Sequence, residues 1–426
     1  MTTRISDLPL PDRRGLGDRA GLPLPPGWRW ERLGDVIVEA QSGFASGARD
    51  SNGVIQLRMN NVDTRGRLIW DEFIRVPASE SIVEKYALRP GDVVFNNTNS
   101  TELVGKSAFF DGHAETMVFS NHFTRLRVAE DQLDSRYLSL WLVERWQDHV
   151  FENLCNRWIG QSAVKSDKLL ALQIPLPPLP EQKRIAAILN EQLAAVEKAR
   201  AAAEAQLQAA KALPAAYLRD VFGSEEARRW PTQSLLEVCD LLPAHSIATD
   251  GDAEVLAITT ACLTESGFDP SGVKRARMWA KNVEESIVSC GEILIARSNT
   301  PDLVGRVAMF AGEPKGAVAS DLTIRLMPKR GLEPVFLAAY FSELYLRGHW
   351  KERAGGASGS MKKITRSQIQ AEQVPAPPLD IQRRIAEGLA ERMTVARQTR
   401  RALDAQTAAI EQLPAALLRR AFAGEA

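Results

Sequence analysis

The sequence predicts a mixed α+β architecture, with two pseudo-symmetric α/β domains separated by two long antiparallel helices of coiled-coil type. Three observations carry this. Ile174–Ala186 (IPLPPLPEQKRIA) returns 200 positions later as Val374–Ala386 (VPAPPLDIQRRIA). Each copy opens a run of strong helix formers rich in Ala, Glu, Gln and Arg. Each is preceded by a long stretch of short apolar runs punctuated by turns, the pattern of a globular α/β domain.

The repeat organises the whole chain. Leu213–Arg219 (LPAAYLR) matches Leu413–Arg419 (LPAALLR) at the same shift, Gly91–Phe95 aligns with Gly291–Ile295, and Leu103–Lys106 with Leu303–Arg306. Toward the start the shift drifts to about 202, where Trp30 to Val36 faces a similar stretch beginning near Trp230. The expected organisation is a disordered tail over 1–20, a first globular domain over 21–178, a helical region over 179–223, a second globular domain over 224–378 and a closing helical region over 379–426.

Each helix is expected after the Pro-rich approach that ends at Leu179 or Leu379, since proline fits only the first turn. In the first, Ile185, Leu189, Gln192, Val196, Ala199, Ala203, Gln206, Ala210 and Leu213 alternate spacings of four and three, the seam of a helix packed along another. The second carries Ile385, Leu389, Met393, Ala396, Leu403, Ile410 and Leu413, with Arg392 and Arg400 as imperfections. A helix of about 33 residues spans roughly 50 Å, more than the 34–36 Å or so of one B-DNA turn. The pattern alone equally suits a coiled-coil dimerisation arm.

In the globular stretches, Pro90-Gly91-Asp92 turns into the strand Val93-Val94-Phe95. Tyr137, Leu138, Trp141, Leu142, Trp146 and Val150 have helical spacing, answered by Phe336, Leu337, Tyr340, Phe341, Leu344 and Tyr345; these aromatics read as core.

Composition narrows the function. The 53 basic residues equal the 53 acidic ones, so a nucleic-acid binder would need its positive charge clustered or supplied in part by partner subunits. Cys155, Cys239, Cys262 and Cys290 lie far apart with no C-x-x-C pair, which suggests neither a zinc site nor a disulfide framework. No apolar run approaches the roughly 20 residues of a membrane span, and the first residues lack the apolar core of a signal peptide, so the chain is expected in the cytoplasm. No phosphate-binding loop, amino-methyltransferase motif, H-E-x-x-H or G-x-S-x-G is present. Pro177-Pro178 lacks the flanking residues of a methyltransferase motif, and Gly355–Ser360 lacks nucleotide-loop spacing. His149 and His349 recur without a nucleophile or carboxylate partner, which favours a structural role.

Together these features resemble the specificity subunit of type I restriction-modification systems. The run Gly291–Ser298 followed by Leu303–Arg306 looks like the strand-loop-strand signature of the family's target-recognition domains. Pro177–Ile185 and its copy resemble the start of the conserved helical regions, and Leu213–Phe222 and Leu413–Phe422 their end. The resemblance runs from about residue 22 to the C-terminus. It implies a non-catalytic subunit that recognises a bipartite target in double-stranded DNA with a non-specific spacer. It implies two methyltransferase subunits bound through the helices and restriction-translocase subunits reached through them. S-adenosylmethionine, ATP and Mg would then be used by those partners, with no cofactor or metal bound by this chain. On that reading Ile185, Leu189, Val196, Leu213, Ile385, Leu389, Leu403 and Ile410 are the helix-packing positions.

Base edges are read by Arg, Lys, Asn, Gln, Ser and Thr side chains. Asn96, Asn97, Thr98, Asn99, Ser100 and Thr101 form a dense polar loop directly after a strand; Arg297, Ser298, Asn299 and Thr300 are its counterpart. An Asx-rich turn that merely stabilises itself is the alternative. A second candidate lies before each long helix: Arg157, Gln161 and Lys165 in the first domain, Ser358, Ser360, Lys362 and Lys363 in the second. Lys106 and Arg306 complete the set, and Gln56, Arg58, Asn60 and Asn61 against Thr259 and Thr260 form a third candidate. Asn97 becomes Arg297, Asn121-His122 becomes Asp321-Leu322, and Lys165 becomes Thr365; unequal tips on a duplicated scaffold suggest an asymmetric target. The competing readings are a two-domain protein-binding scaffold and a DNA-modifying enzyme with an unfamiliar site.

Overall fold

A computed structural model of the chain describes residues 23–265, 267–358 and 361–425, without the side chains of 357 and 358. The expected tail over 1–20 and the candidate Ser360 lie outside these residues, as does the side chain of Ser358. The chain forms two compact units, one comprising residues up to Ala201 together with those from Ala408, the other running from Ala202 to Thr407.

In the first unit an antiparallel sheet orders its strands Ile37–Ser42, Phe123–Val128, Val93–Asn96 and Ser107–Phe109. Strand Val93–Asn96 is central, and its alternation splits it between two cores. Val93 and Phe95 join the helix Ser135–Gln147 through Tyr137, Leu138, Trp141 and Leu142. Val94 faces the other way, onto Ile55, Leu57 and Phe119 of a smaller sheet ordered Ile74–Val76, Val54–Leu57, Met117–Phe119. A strand buried on both faces has to be apolar throughout, which is why it reads Val-Val-Phe.

The second unit repeats the plan with Cys239–Leu242, Thr323–Pro328, Ile293–Ala296 and Val307–Met309. Ile293 and Ile295 pack under the helix Pro334–Leu346, while Leu294 and Ala296 face the second core. Phe336, Leu337, Phe341 and Leu344 are buried there, as their helical spacing requires, while Tyr340 and Tyr345 are half-buried. A hairpin pairing Leu263–Thr264 with Gly267–Phe268 is added at the edge.

The loop glycines of the two Leu-Val-Gly motifs have a specific task. Gly105 (φ +92°) and Gly305 (φ +83°) lie under the Phe151 and Trp350 rings, where an added Cβ would come within 2.4 Å and 2.5 Å. Only glycine takes this φ and leaves that space.

The long helices run Leu179–Phe222 and Leu379–Phe422, 44 residues each. They exceed the 33 or so expected because both continue through Pro214 and Pro414 into buried Leu218, Leu418 and Phe422 and half-buried Phe222, whose packing anchors the last turns. Within the first unit Ile185, Ala186 and Leu189, near the start of the first helix, share a core with Leu418, Ala421 and Phe422 at the end of the second, so the pair is antiparallel. Within the second unit Arg392 lies over Tyr217 at 5.6 Å and 3.5 Å from Asp220.

The seam differs from expectation. Leu189, Val196, Ala203 and Ala210 are buried, but the alternate line is Leu193, Arg200, Leu207 and Pro214, while Gln192, Ala199 and Gln206 are exposed. Leu213 is half-buried, so the apolar line passes one residue later than expected. On the second helix Leu389, Ala396 and Ile410 are buried, Ile385, Met393, Arg400 and Leu403 half-buried, and Leu413 exposed.

Candidate nucleic-acid interface

The two sequence-distant candidate segments of each unit meet on one small sheet. In the first unit Thr98–Asn99, Gln161–Ala163 and Asn156–Trp158 form a three-stranded antiparallel sheet in which Ser162 pairs with Asn99 and Ala163 with Thr98. In the second, Ser298–Asn299, Met361–Lys363 and Gly355–Ser358 do the same, Ser298 pairing with Lys363 and Asn299 with Lys362. The residue before each short strand fixes the junction. Asn97 N donates to His122 O (2.9 Å) and its carbonyl accepts from Val164 N (2.9 Å). Arg297 N donates to Leu322 O (2.8 Å) and its carbonyl accepts from Ile364 N (2.8 Å).

Several expected DNA contacts are corrected by burial. Asn96 is fully buried; its amide donates to Thr98 O (3.1 Å) and His122 O (2.9 Å). Asn99 is buried and donates to Asn96 Oδ1 (2.6 Å) while accepting from Ser100 N (2.8 Å). For these two the Asx-rich-turn reading holds: their polar atoms are spent on the loop. Asn97 is half-buried and donates to Asn121 O (3.3 Å) and Thr124 Oγ1 (3.0 Å).

Lys106 is buried, and its ammonium is held by the carbonyls of Met59 (3.1 Å) and Val62. Burial lowers its pKa, partly offset by nearby Asp63. It cannot reach a phosphate from there. Gln56 and Asn61 are likewise buried, donating to the carbonyls of Phe44 and of Ile69 and Glu72.

Arg306 sits apart from the small sheet, 3.6 Å from Glu265 and over the Tyr345 ring at 5.7 Å. With Glu265, Asp269, Arg397, Arg400 and Arg401 it borders a cavity of about 570 Å³.

What remains at the surface is compact. In the first unit Arg157, Gln161 and Lys165 are exposed and Thr98 and Ser100 half-exposed; Thr98 Oγ1 donates to Asn97 Oδ1 (2.7 Å). In the second, Thr300 and Lys363 are exposed, and Arg297, Ser298, Asn299 and Lys362 half-exposed. Arg58 and Asn60 reach the surface in the first unit, and burial together with the Arg58 charge lowers the pKa of His122. Thr259 and Thr260 are half-exposed, with Thr259 Oγ1 donating to Gly272 O (2.9 Å).

Arg297 carries a further signal. Nη1 donates to Asp321 O (3.2 Å), but its buried Nε has no hydrogen-bond partner. Burial and the Arg297 charge lower the pKa of Arg366, whose guanidinium donates to Leu241 O (3.0 Å) and Leu242 O (2.8 Å). Arg366 was not anticipated, because Ser166 stands at the shifted position and no repeat marks it.

Sequence reasoning also missed the purpose of the glutamine in the repeated Pro-rich motif. Gln182 is buried, accepts from Asp134 N (2.8 Å) and donates to Gln132 O (2.8 Å) and Pro177 O (2.9 Å). Gln382 does the same with Glu333 N (2.8 Å), Gly331 O (3.2 Å) and Pro377 O (2.8 Å). Each ties the start of a long helix to the globular segment before it; recurrence at the 200-residue shift was the available signal.

Among the described residues no cluster of His, Cys, Asp and Glu could hold a metal ion, and no helix is long and apolar enough to cross a membrane. The fold and its surface thus define a class: a duplicated α/β protein whose two small polar sheets are each built beside a long connecting helix. Residues 26–204 match the family model of the type I restriction modification DNA specificity domain. The chain is 30% identical over 170 residues to a putative type I restriction enzyme specificity subunit, MjaX, of Methanocaldococcus jannaschii, covering 39% of this chain and 40% of that one. It is 25% identical over 211 residues to the StySPI specificity subunit of Salmonella potsdam, covering 49% of this chain and 45% of that one. It therefore spans less than half the length of these two curated relatives. The EcoKI specificity subunit of Escherichia coli K12 is 23% identical over 412 residues, 87% of this chain and 82% of that one. In fold the chain is similar to the HsdS subunit from Thermoanaerobacter tengcongensis (TM-score 0.63, 22% identity, 96% of this chain and 99% of that one). It is also similar to a chain from a type I R-M system described for its complex assembly and conformational transition (TM-score 0.69, 23% identity, 95% and 100% covered).

Proposed function

We propose that this chain is the DNA sequence-specificity subunit of a type I restriction-modification enzyme, without catalytic residues or a cofactor of its own. It reads a bipartite, asymmetric target in double-stranded DNA and holds two methyltransferase subunits, through which restriction-translocase subunits are engaged. One observation carries the reading: in each unit a three-stranded sheet gathers the loop after the central strand with the hairpin before the long helix. That places Thr98, Ser100, Arg157, Gln161 and Lys165 together, and Arg297, Ser298, Asn299, Thr300, Lys362 and Lys363 together, on surfaces rich in groups that bond base edges and phosphates. Methyl transfer, ATP hydrolysis and cleavage belong to the partners, and the cytoplasm is where such an assembly would work. The domain division at 21–178 and 224–378, with helical regions between and after, is the one on which each sheet acts as a separate reader.

The experiment is selection of random duplexes by the full chain assembled with its methyltransferase subunits, followed by sequencing. The expected result is two unrelated short motifs at one constant spacing, with affinity falling steeply as salt rises. A single palindrome would overturn the asymmetric two-reader assignment. No enrichment at all would favour a protein-binding scaffold, the reading that a net charge of zero otherwise suits.

A further inference from the structure

The hairpin that joins strands Asn156–Trp158 and Gln161–Ala163 carries an unusual tip. Trp158 pairs with Gln161, which leaves Ile159 and Gly160 as a two-residue turn. Gly160 supplies the left-handed residue (φ +80°). Ile159, at the first central position of a turn whose left-handed residue is Gly160 and where an ordinary residue fits, is fully exposed, and Trp158 beside it is 60% exposed. Neither side chain contributes to the hydrophobic cores of its unit. Folding does not require a β-branched aliphatic at the outermost point of a polar hairpin, since any turn residue would close it. Around this tip the surface is cationic and polar: Arg157 and Gln161 are its immediate neighbours, and Lys165 follows the second strand, all exposed. The hairpin is hydrogen-bonded through Ser162 and Ala163 to Asn99 and Thr98, so its base is fixed to the central sheet while its tip projects.

Resting on the DNA-reading function proposed above, we infer that the Trp158-Ile159 tip is a wedge that enters the duplex and partly unstacks one base step in the half-site read by the first unit. Phosphate-binding cations flanking a protruding apolar pair are what such a wedge needs: the cations hold the backbone while the aliphatic side chain replaces stacking contact between two bases. A polypeptide partner would not call for that cationic surround. At the shifted place the second unit has Gly355, Gly356, Ala357, Ser358, Gly359 and Ser360 in sequence, so the wedge belongs to one half-site only.

The test uses the full chain with its methyltransferase subunits and the duplex obtained by selection, with 2-aminopurine scanned through both half-sites. Besides the rise at any base that the methyltransferase subunits flip out of the stack, binding is expected to raise the fluorescence about three-fold or more at one further step, in one half-site only. Ile159→Ser should abolish that rise while weakening binding about ten-fold or less, and Ile159→Leu should retain it. Arg157→Ala should weaken binding and lower its salt dependence but keep the rise in the complex that forms. Specific binding without that further rise, or a further rise that survives Ile159→Ser, overturns the wedge and leaves DNA reading intact. Failure to select any duplex overturns DNA reading, and the wedge with it.

Discussion

Gln182 and Gln382 each satisfy one helix-side backbone N–H and two carbonyls from inside a core, at 2.8–3.2 Å. Truncating either leaves three buried backbone groups without partners, each worth about 1 kcal/mol or more. Gln182→Ala should therefore destabilise the first unit by about 2–4 kcal/mol, read as a lower urea midpoint and faster amide exchange at Asp134. Glu39 makes a pH-dependent contribution. Burial alone would raise its pKa, but the Arg125 and Arg127 guanidiniums outweigh that and hold it below the usual carboxylate range. A carboxyl depressed on folding contributes stability that is complete above its unfolded pKa and lost as pH falls through the folded value. Denaturant midpoints measured between about pH 6 and pH 3 should fall less steeply for Glu39→Gln than for the unaltered chain.

At the scale of elements, the long helices were legible from composition and spacing, yet the seam was placed one residue early on alternate turns. Gln192 and Ala199 satisfied a three-four rhythm, but Leu193 and Arg200 are the residues that turn inward. A helical pattern tolerates either choice when the candidate positions are Ala and Gln; packing against the second helix decides. Leu193→Glu should thus cost about 2 kcal/mol or more in the urea midpoint, while Gln192→Glu should change it by less than about 0.5 kcal/mol. Prolines 214 and 414 look like helix ends by sequence. Each helix runs eight residues further because Leu218, Leu418 and Phe422 are buried beyond the proline and half-buried Phe222 packs on the core of the second unit. The three-stranded polar sheets were legible only as separate segments: nothing in 96–100 or 157–165 announces that residues 60 positions apart pair, as Ser162 and Asn99 do.

For the whole molecule, duplication preserves the frame and changes its charges. In the first unit Arg65 and Arg67 of a loop hold Glu197 of the long helix at 3.1 Å and 2.9 Å. At the shifted position the helix carries Arg397, near Glu265 and Asp269 of the corresponding edge hairpin. The polarity is reversed, so each domain edge suits the helix segment of its own unit. These pairs are half-exposed and individually weak. Glu197→Arg is expected to destabilise the first unit by about 1 kcal/mol, and adding Arg65→Glu and Arg67→Glu should recover most of it in a mutant cycle. The equal count of 53 basic and 53 acidic residues is partly resolved by such internal pairing, including the buried Arg325–Glu292 pair at 2.9 Å. Charges spent inside leave Arg157, Lys165 and Lys363 exposed and Lys362 half-exposed beside the small sheets.

By itself the sequence determined the duplication, the fold class and the two long helices, and it marked the polar segments proposed to read DNA, because repeats and periodicity are written along the chain. Only the tertiary structure decided which of those polar residues face solvent. Asn96, Asn99 and Lys106 have the right chemistry for DNA, but Asn96 and Asn99 spend their amides on the turn itself, and the Lys106 ammonium is held by carbonyls of the distant segment around Met59 and Val62. Burial is set by what packs on a residue from elsewhere in the chain, which composition and spacing do not record.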